Sequence, residues 1–275
     1  MLDPTWQSPY VPSLAERTEH QAFVRRFAIR RKIPQTIVVA VVVVALIVGV
    51  IAVPWLPAVA LVVAALYAWD LVRSLGRFER QGLTLARLIV DQFKVGGTTT
   101  DRQRLVTVLD RLAATFGADG VSAFIVDDAG YNAALVPDGA TYSLFVTSAM
   151  MSDFELIEIE GVVAHCLARQ RLGLLGRESV ACVANLSDTQ RRTLAGAGSA
   201  YRADEVAASS IRYPLGLAGA LRKCAQRRAP AGSFFTSANY ATWRWIWFDI
   251  WSDRAQSDLG DLDDVELRAL ALEEW

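Results

Sequence analysis

Ile159-Glu160-Gly161-Val162-Val163-Ala164-His165-Cys166-Leu167-Ala168-Arg169 is an apolar, helix-forming stretch that carries an imidazole, a thiol and a guanidinium at fixed helical spacing. Side chains at i and i+4 share a helical face. Two His placed there can hold zinc, while a Glu between them serves as general base toward a metal-bound water. In this frame the first ligand position is His165, the base position is Cys166 and the second ligand position is Arg169. A guanidinium has no lone pair to give and stays charged at ordinary pH. The stretch therefore has the frame of a metal-binding helix from which most of the chemistry has been removed.

The 275 residues around this helix are enough for one sizeable domain and an accessory element. Mean hydropathy is +0.26, high for a soluble chain, and raises the expectation of a membrane segment. A formal net charge of −1 gives no electrostatic reason to expect nucleic acid as a partner. Nearly all of the 28 basic residues are Arg, in a background rich in Ala and Val, a composition that points to a high-GC bacterial genome. Cys166, Cys182 and Cys224 are an odd number without C-x-x-C spacing, which fits reduced thiols rather than a disulfide framework or zinc knuckle.

Toward the N-terminus, residues 36–53 form an uninterrupted apolar run of about bilayer-spanning length. A second run over residues 58–69 follows the short turn Pro54-Trp55-Leu56-Pro57, so the two should form a helical hairpin. Asp70, at the end of the second run, reads either as an interfacial carboxylate or as a buried functional one. Residues 1–13, with Pro4, Pro9 and Pro12, should be extended, and residues 13–32 helical with a basic end of Arg25, Arg26, Arg30, Arg31 and Lys32. That end suits acidic lipid headgroups. Arg73, Arg77 and Arg80 flank the other side while the turn carries no basic residue, which places both termini in the cytoplasm of an inner-membrane protein. The expected organisation is an arm over residues 1–33, a transmembrane hairpin over 34–75 and a cytoplasmic domain over 76–275. Within that domain, helices are expected over residues 78–93 and, capped by Asp101, to Phe116. Strands are expected over 121–126 and 141–147, the second after a Pro137-Asp138-Gly139 turn, with mostly helix beyond Asp153.

The order of these features resembles the HtpX-like membrane metallopeptidases, a gluzincin family related to the CAAX-prenyl protease. Asn132-Ala133-Ala134 is similar to the family's Asn-Ala-Phe. Leu144-Phe145-Val146-Thr147-Ser148-Ala149-Met150-Met151 is similar to its strand leading into a Gly-Leu-Leu turn. Glu158 to His165 resembles the segment entering its metal-binding helix. Ala200-Tyr201-Arg202-Ala203-Asp204 resembles its Glu-x-x-Ala-Asp helix, and Leu221-Arg222-Lys223 the Leu-x-Lys that follows. Asp263-Asp264-Val265-Glu266-Leu267-Arg268 takes the place of its His-Pro-Pro…Glu-Arg segment, without the His or the prolines.

The resemblance implies an α+β, mainly helical fold in which the three zinc ligands fall at His165, Arg169 and Ala200 and the catalytic Glu at Cys166. One ligand of three remains, so no metal or other cofactor is expected. It also implies that Asp204 hydrogen-bonds His165, and the charge of Arg169, one turn from His165, is expected to pair with Asp204 in place of metal. The family's counterpart of residues 141–147 borders the cleft and pairs with substrate, which makes Tyr142, Leu144 and Val146 a candidate peptide-binding edge. Trp243, Trp247 and Trp251 would share one face of a helix, as core packing, as an interfacial belt or as a protein-binding surface. The function expected is an inactive pseudopeptidase acting as scaffold, adaptor or regulator, with the bilayer and a membrane protein complex as partners. Two alternatives stand beside it. One is an active hydrolase with an unusual metal or thiol site at His165, Cys166 and Asp204; the other is an accessory subunit of a transporter or secretion complex acting through its hairpin.

Overall fold

The computed structural model describes residues 10–48, 55–227, 229–250 and 264–275. The described chain is mostly helical, with one small sheet and two long apolar helices at its N-terminal end. The first helix, α1 (Leu14–Val48), runs 35 residues through Pro34 without a break, so the expected juxtamembrane helix and first span are one element. The second, α2 (Leu56–Gln81), starts with Pro at its first turn, where a missing N–H costs nothing. Both are long and apolar enough to cross a membrane by length and composition. Ile37, Val38, Val41, Leu61, Leu66 and Val72 lie exposed on them, and an apolar surface of that extent calls for a non-aqueous neighbour.

A 3-10 turn (Gly82–Thr84) joins α2 to α3 (Leu85–Gln92), splitting the single helix expected over residues 78–93. Helix α4 (Thr99–Phe116) is capped by Thr98, and Asp101 is its reciprocal partner in a capping box rather than the cap itself. Three strands follow: β1 (Val121–Val126), β2 (Ala133–Asp138) and β3 (Thr141–Thr147). Their order is β1-β3-β2, with β3 parallel to β1 and antiparallel to β2.

Both faces of this sheet are covered, and the period-2 alternation of its residues serves both. Leu135, Leu144 and Val146 point into a core built on α4 and α6 (Leu156–Leu172), together with α9 (Ser199–Ser210) and α10 (Pro214–Gln226). Ala134, Val136 and Phe145 point into a second core. Its other walls are α3, α7 (Leu175–Val183), residues 234–247 and Val24 of α1. Short helices α5 (Ser148–Asp153), α8 (Asp188–Ala195) and α11 (Ala238–Trp243) connect these layers, and α12 (Val265–Glu273) closes over α9 and α10.

Helix α6 is apolar nearly all round and buried along most of its length, as a central helix must be. Glu155 and Glu158 start it with a capping box. Gly173, at φ 77°, ends it by donating its N–H to the carbonyls of Arg169 and Gln170, in a conformation that favours glycine. The helix that carries His165, Cys166 and Arg169 is therefore fixed at both ends and packed on all sides.

Candidate functional site

His165 is 1% exposed, and its Nδ1 lies 2.7 Å from Oδ1 of Asp204 on α9. A carboxylate only accepts, so Nδ1 carries the proton and donates it, leaving the Nε2 lone pair bare. Nε2 is buried without a hydrogen-bond partner among the described residues, and the Phe248 ring stands edge-on to the imidazole at 5.1 Å. Burial pushes the His165 pKa down to about 4, against the upward pull of Asp204 and with a further push from Arg268 and Arg169. At neutral pH the imidazole is uncharged.

The cation on Asp204 is Arg268, which the sequence marks only as part of a C-terminal segment. Its Nε donates to Asp204 Oδ2 at 2.6 Å and its Nη2 to Oδ1 at 3.0 Å, a two-pronged pair with Arg268 at 0% exposure. Burial works against the Asp204 carboxylate. The Arg268 charge and the His165 hydrogen bond outweigh it and hold the carboxyl below its usual range. Asp264 caps α12 by accepting from the N–H groups of Glu266 and Leu267, which fixes the turn that aims Arg268 inward.

Arg169 does not make the expected contact with Asp204. Its guanidinium reaches Glu178 on α7, with Nη2 2.8 Å from Oε2 and Nε 3.1 Å from the same oxygen. Two of its donors also go to main-chain carbonyls, Nη1 to Ile246 and Nη2 to Trp245 at 2.6 Å. The reason is geometric: Glu178 is only nine residues further on, past the Gly173 turn, while Asp204 is already saturated by His165 and Arg268. Burial pushes the Glu178 carboxyl upward and Arg169 pulls it back.

These two arginines grip one stretch of chain. Arg169 holds the carbonyls of Trp245 and Ile246, and Arg268 donates to that of Phe248 at 3.2 Å. The same stretch runs antiparallel along the outer edge of β2. Trp247 bridges Ala134, the Phe248 N–H donates to Ala133 O at 2.7 Å, and the Asn132 side chain clasps the Asp249 backbone at both N–H and C=O. The side of β2 away from β3 is thus occupied by the chain itself, and Phe248 closes the space over His165.

That arrangement corrects two further expectations. Strand β3 is not an edge. Tyr142, Leu144 and Val146 pair with β1 on one side and β2 on the other, and Leu144 and Val146 are fully buried. The Trp residues do not share a helical face either, because α11 ends at Trp243, a 3-10 turn follows and the backbone is extended from Trp247 (ψ 151°). Trp247 is core at 0% exposure, Trp243 is half-buried against Phe234, and Trp251 lies outside the described residues.

The donor set does not fit zinc. The positions that the resemblance implies as ligands and base offer one imidazole nitrogen, a guanidinium at i+4, the methyl of Ala200 and the Cys166 thiol, whose pKa burial pushes up to about 12. No three His, Cys, Asp or Glu side chains converge on one point among the described residues. The protonated thiol, adjacent to His165 in sequence and fully buried, is equally unsuited to nucleophilic attack. No family model matches the sequence, and no curated protein matches it.

Proposed function

We propose that the chain is a membrane-anchored pseudopeptidase: an HtpX-like, gluzincin-type domain whose catalytic positions have been turned into structural ion pairs. It acts as scaffold, adaptor or regulator of a membrane protein complex. The observation that carries this reading is Arg169. It sits at the second ligand position with its donors committed to Glu178 and to the carbonyls of residues 245 and 246. A metal there would have to displace a buried, matched cation. The basic flanks of α1 and α2 support a bacterial inner-membrane hairpin with both termini in the cytoplasm.

The test is the metal content of protein purified in mild detergent without chelator, beside the His165→Ala variant. Neither should retain stoichiometric zinc. Zinc bound by the wild type and lost in His165→Ala would overturn the pseudoenzyme reading. The same preparations report on partners. A partner that copurifies should remain when residues 34–72 are replaced by an unrelated hairpin; if it is lost, the working surface is the hairpin rather than the domain.

A further inference from the structure

Where α1 and α2 leave the apolar zone they part around a cavity of about 320 Å³, lined by Arg31, Lys32, Gln35, Ser74, Arg77 and Gln81 among others. That volume is at the small end of the range of about 300–1,000 Å³ for small-molecule sites. Its level is set on both helices. Thr36 of α1 bonds Tyr67 of α2 at 2.8 Å, and above that pair the surfaces are apolar, with Ile37 and Val38 exposed. The cavity opens just below.

Its cations are poorly neutralised. Lys32 Nζ and Arg77 Nη2 lie 3.9 and 3.8 Å from Asp70, beyond hydrogen-bonding distance, so one carboxylate is shared loosely between two charges. Arg31 donates to the carbonyl of Asn185 at 3.0 Å, a neutral partner that brings no negative charge to it. Three positive groups against one negative group, with amide donors from Gln35 and Gln81, form an anion site at the level where a bilayer presents phosphates. The adjoining Phe78, stacked on Phe27, closes the cavity with an apolar wall on the side of the domain.

We infer that this cavity binds the phosphodiester headgroup of an anionic phospholipid, held by Lys32 and Arg77 with Arg31 behind them. The inference rests on α1 and α2 crossing the bilayer. The full chain is reconstituted into discs of phosphatidylcholine with a minor fraction of phosphatidylglycerol, and the lipid retained after detergent extraction is quantified. Flotation and the melting temperature of the domain are followed for every variant. Phosphatidylglycerol should be enriched over phosphatidylcholine. Enrichment should fall about fivefold for each of Lys32→Gln and Arg77→Gln and rise for Asp70→Asn, which removes the competing carboxylate. Arg73→Gln, which removes an exposed charge of the same α2 stretch from outside the cavity, should change little.

An equal fall in Arg73→Gln would overturn the site in favour of diffuse surface charge. Displacement of the lipid by inorganic phosphate would overturn the lipid as its source. Failure of the wild type to float with the discs would overturn the membrane reading itself. That last outcome is distinct from a chain that floats but shows no enrichment, which would overturn the cavity alone.

Discussion

A guanidinium at residue 169 must be matched wherever it is buried, and the match with Glu178 explains how a core helix can carry an arginine. Both side chains are at most 3% exposed, so removing one partner strands the other's charge in a low-dielectric interior. Arg169→Met should cost about 3–5 kcal/mol in denaturant unfolding, whereas Arg169→Met combined with Glu178→Leu should recover much of that loss. A single variant within ~1 kcal/mol of wild type would mean that the pair does not hold residues 245–246. His165 makes a second, pH-dependent prediction. Its native pKa of about 4 lies below the 6.5 of an unperturbed imidazole, so the unfolded chain binds the proton first. Stability is full above pH 6.5 and falls toward pH 4, by up to about 3 kcal/mol from this group. Glu178, raised by burial, acts in the opposite sense, so the variant is needed to isolate the imidazole. His165→Asn, whose amide can replace the Nδ1 donor, should flatten the loss in that window. An unchanged acid limb would assign it to other groups.

Helices α6 and α10 meet with almost no space between them, and Gly161 is the reason. A Cβ there would come within 2.6 Å of the Leu217 Cα and 2.7 Å of its N, both main chain and unable to swing aside. Gly161→Ala should therefore destabilise by about 1–3 kcal/mol through overpacking, despite the better helix propensity of Ala. A melting temperature that rose would mean that the helices can separate freely. Elements of this kind were unevenly legible in the sequence. Strands β1 and β3 follow from their β-branched and aromatic runs and occupy the expected residues. Strand β2, Ala-Ala-Leu-Val-Pro-Asp, ends in residues that read as a turn, and it fills the side of β3 that the resemblance implied was open to a peptide. The Trp spacing is helical on paper, yet the chain turns extended at Trp247 because its backbone pairs with β2. At the site, the His165–Asp204 pair was accessible only through resemblance, since 39 residues separate the partners. Nothing local distinguishes Arg268, at 0% exposure, from the many arginines that are solvated. Its role depends on α12 docking against α9, a tertiary fact.

At the scale of the molecule, the two long apolar helices and the rest of the described chain are not joined by a loose tether. The lower half of α1 continues below the apolar zone and docks on α6, α7 and α9. His20 Nδ1 bonds the Leu172 carbonyl at 2.8 Å, Arg202 pairs with Glu16 at 3.1 Å, and the Arg177 guanidinium lies over the Phe23 ring at 4.9 Å. Val24 is buried in the same core as Leu85, Ile89 and Val180, with Phe23 and Phe27 packed against it. The part of the expected arm that α1 contains, from Leu14 onward, thus forms a wall of the domain. Each large apolar side chain taken from water contributes about 1.5–3 kcal/mol, so the docked face stabilises the domain by on the order of 5 kcal/mol, comparable with the whole stability of many domains. A chain beginning at residue 76 would expose the α7 and α3 side chains that Val24 and Phe27 cover. It should unfold at markedly lower temperature than the full chain in detergent, or associate through that surface on size exclusion. The same fragment supplied with a separate peptide of residues 13–32 should regain part of the lost stability, because Glu16, His20, Phe23, Val24 and Phe27 all lie in that segment. A monodisperse fragment melting at the temperature of the full chain would show that α1 only anchors. Recovery by the peptide would show that the N-terminal half of α1 is a component of the fold.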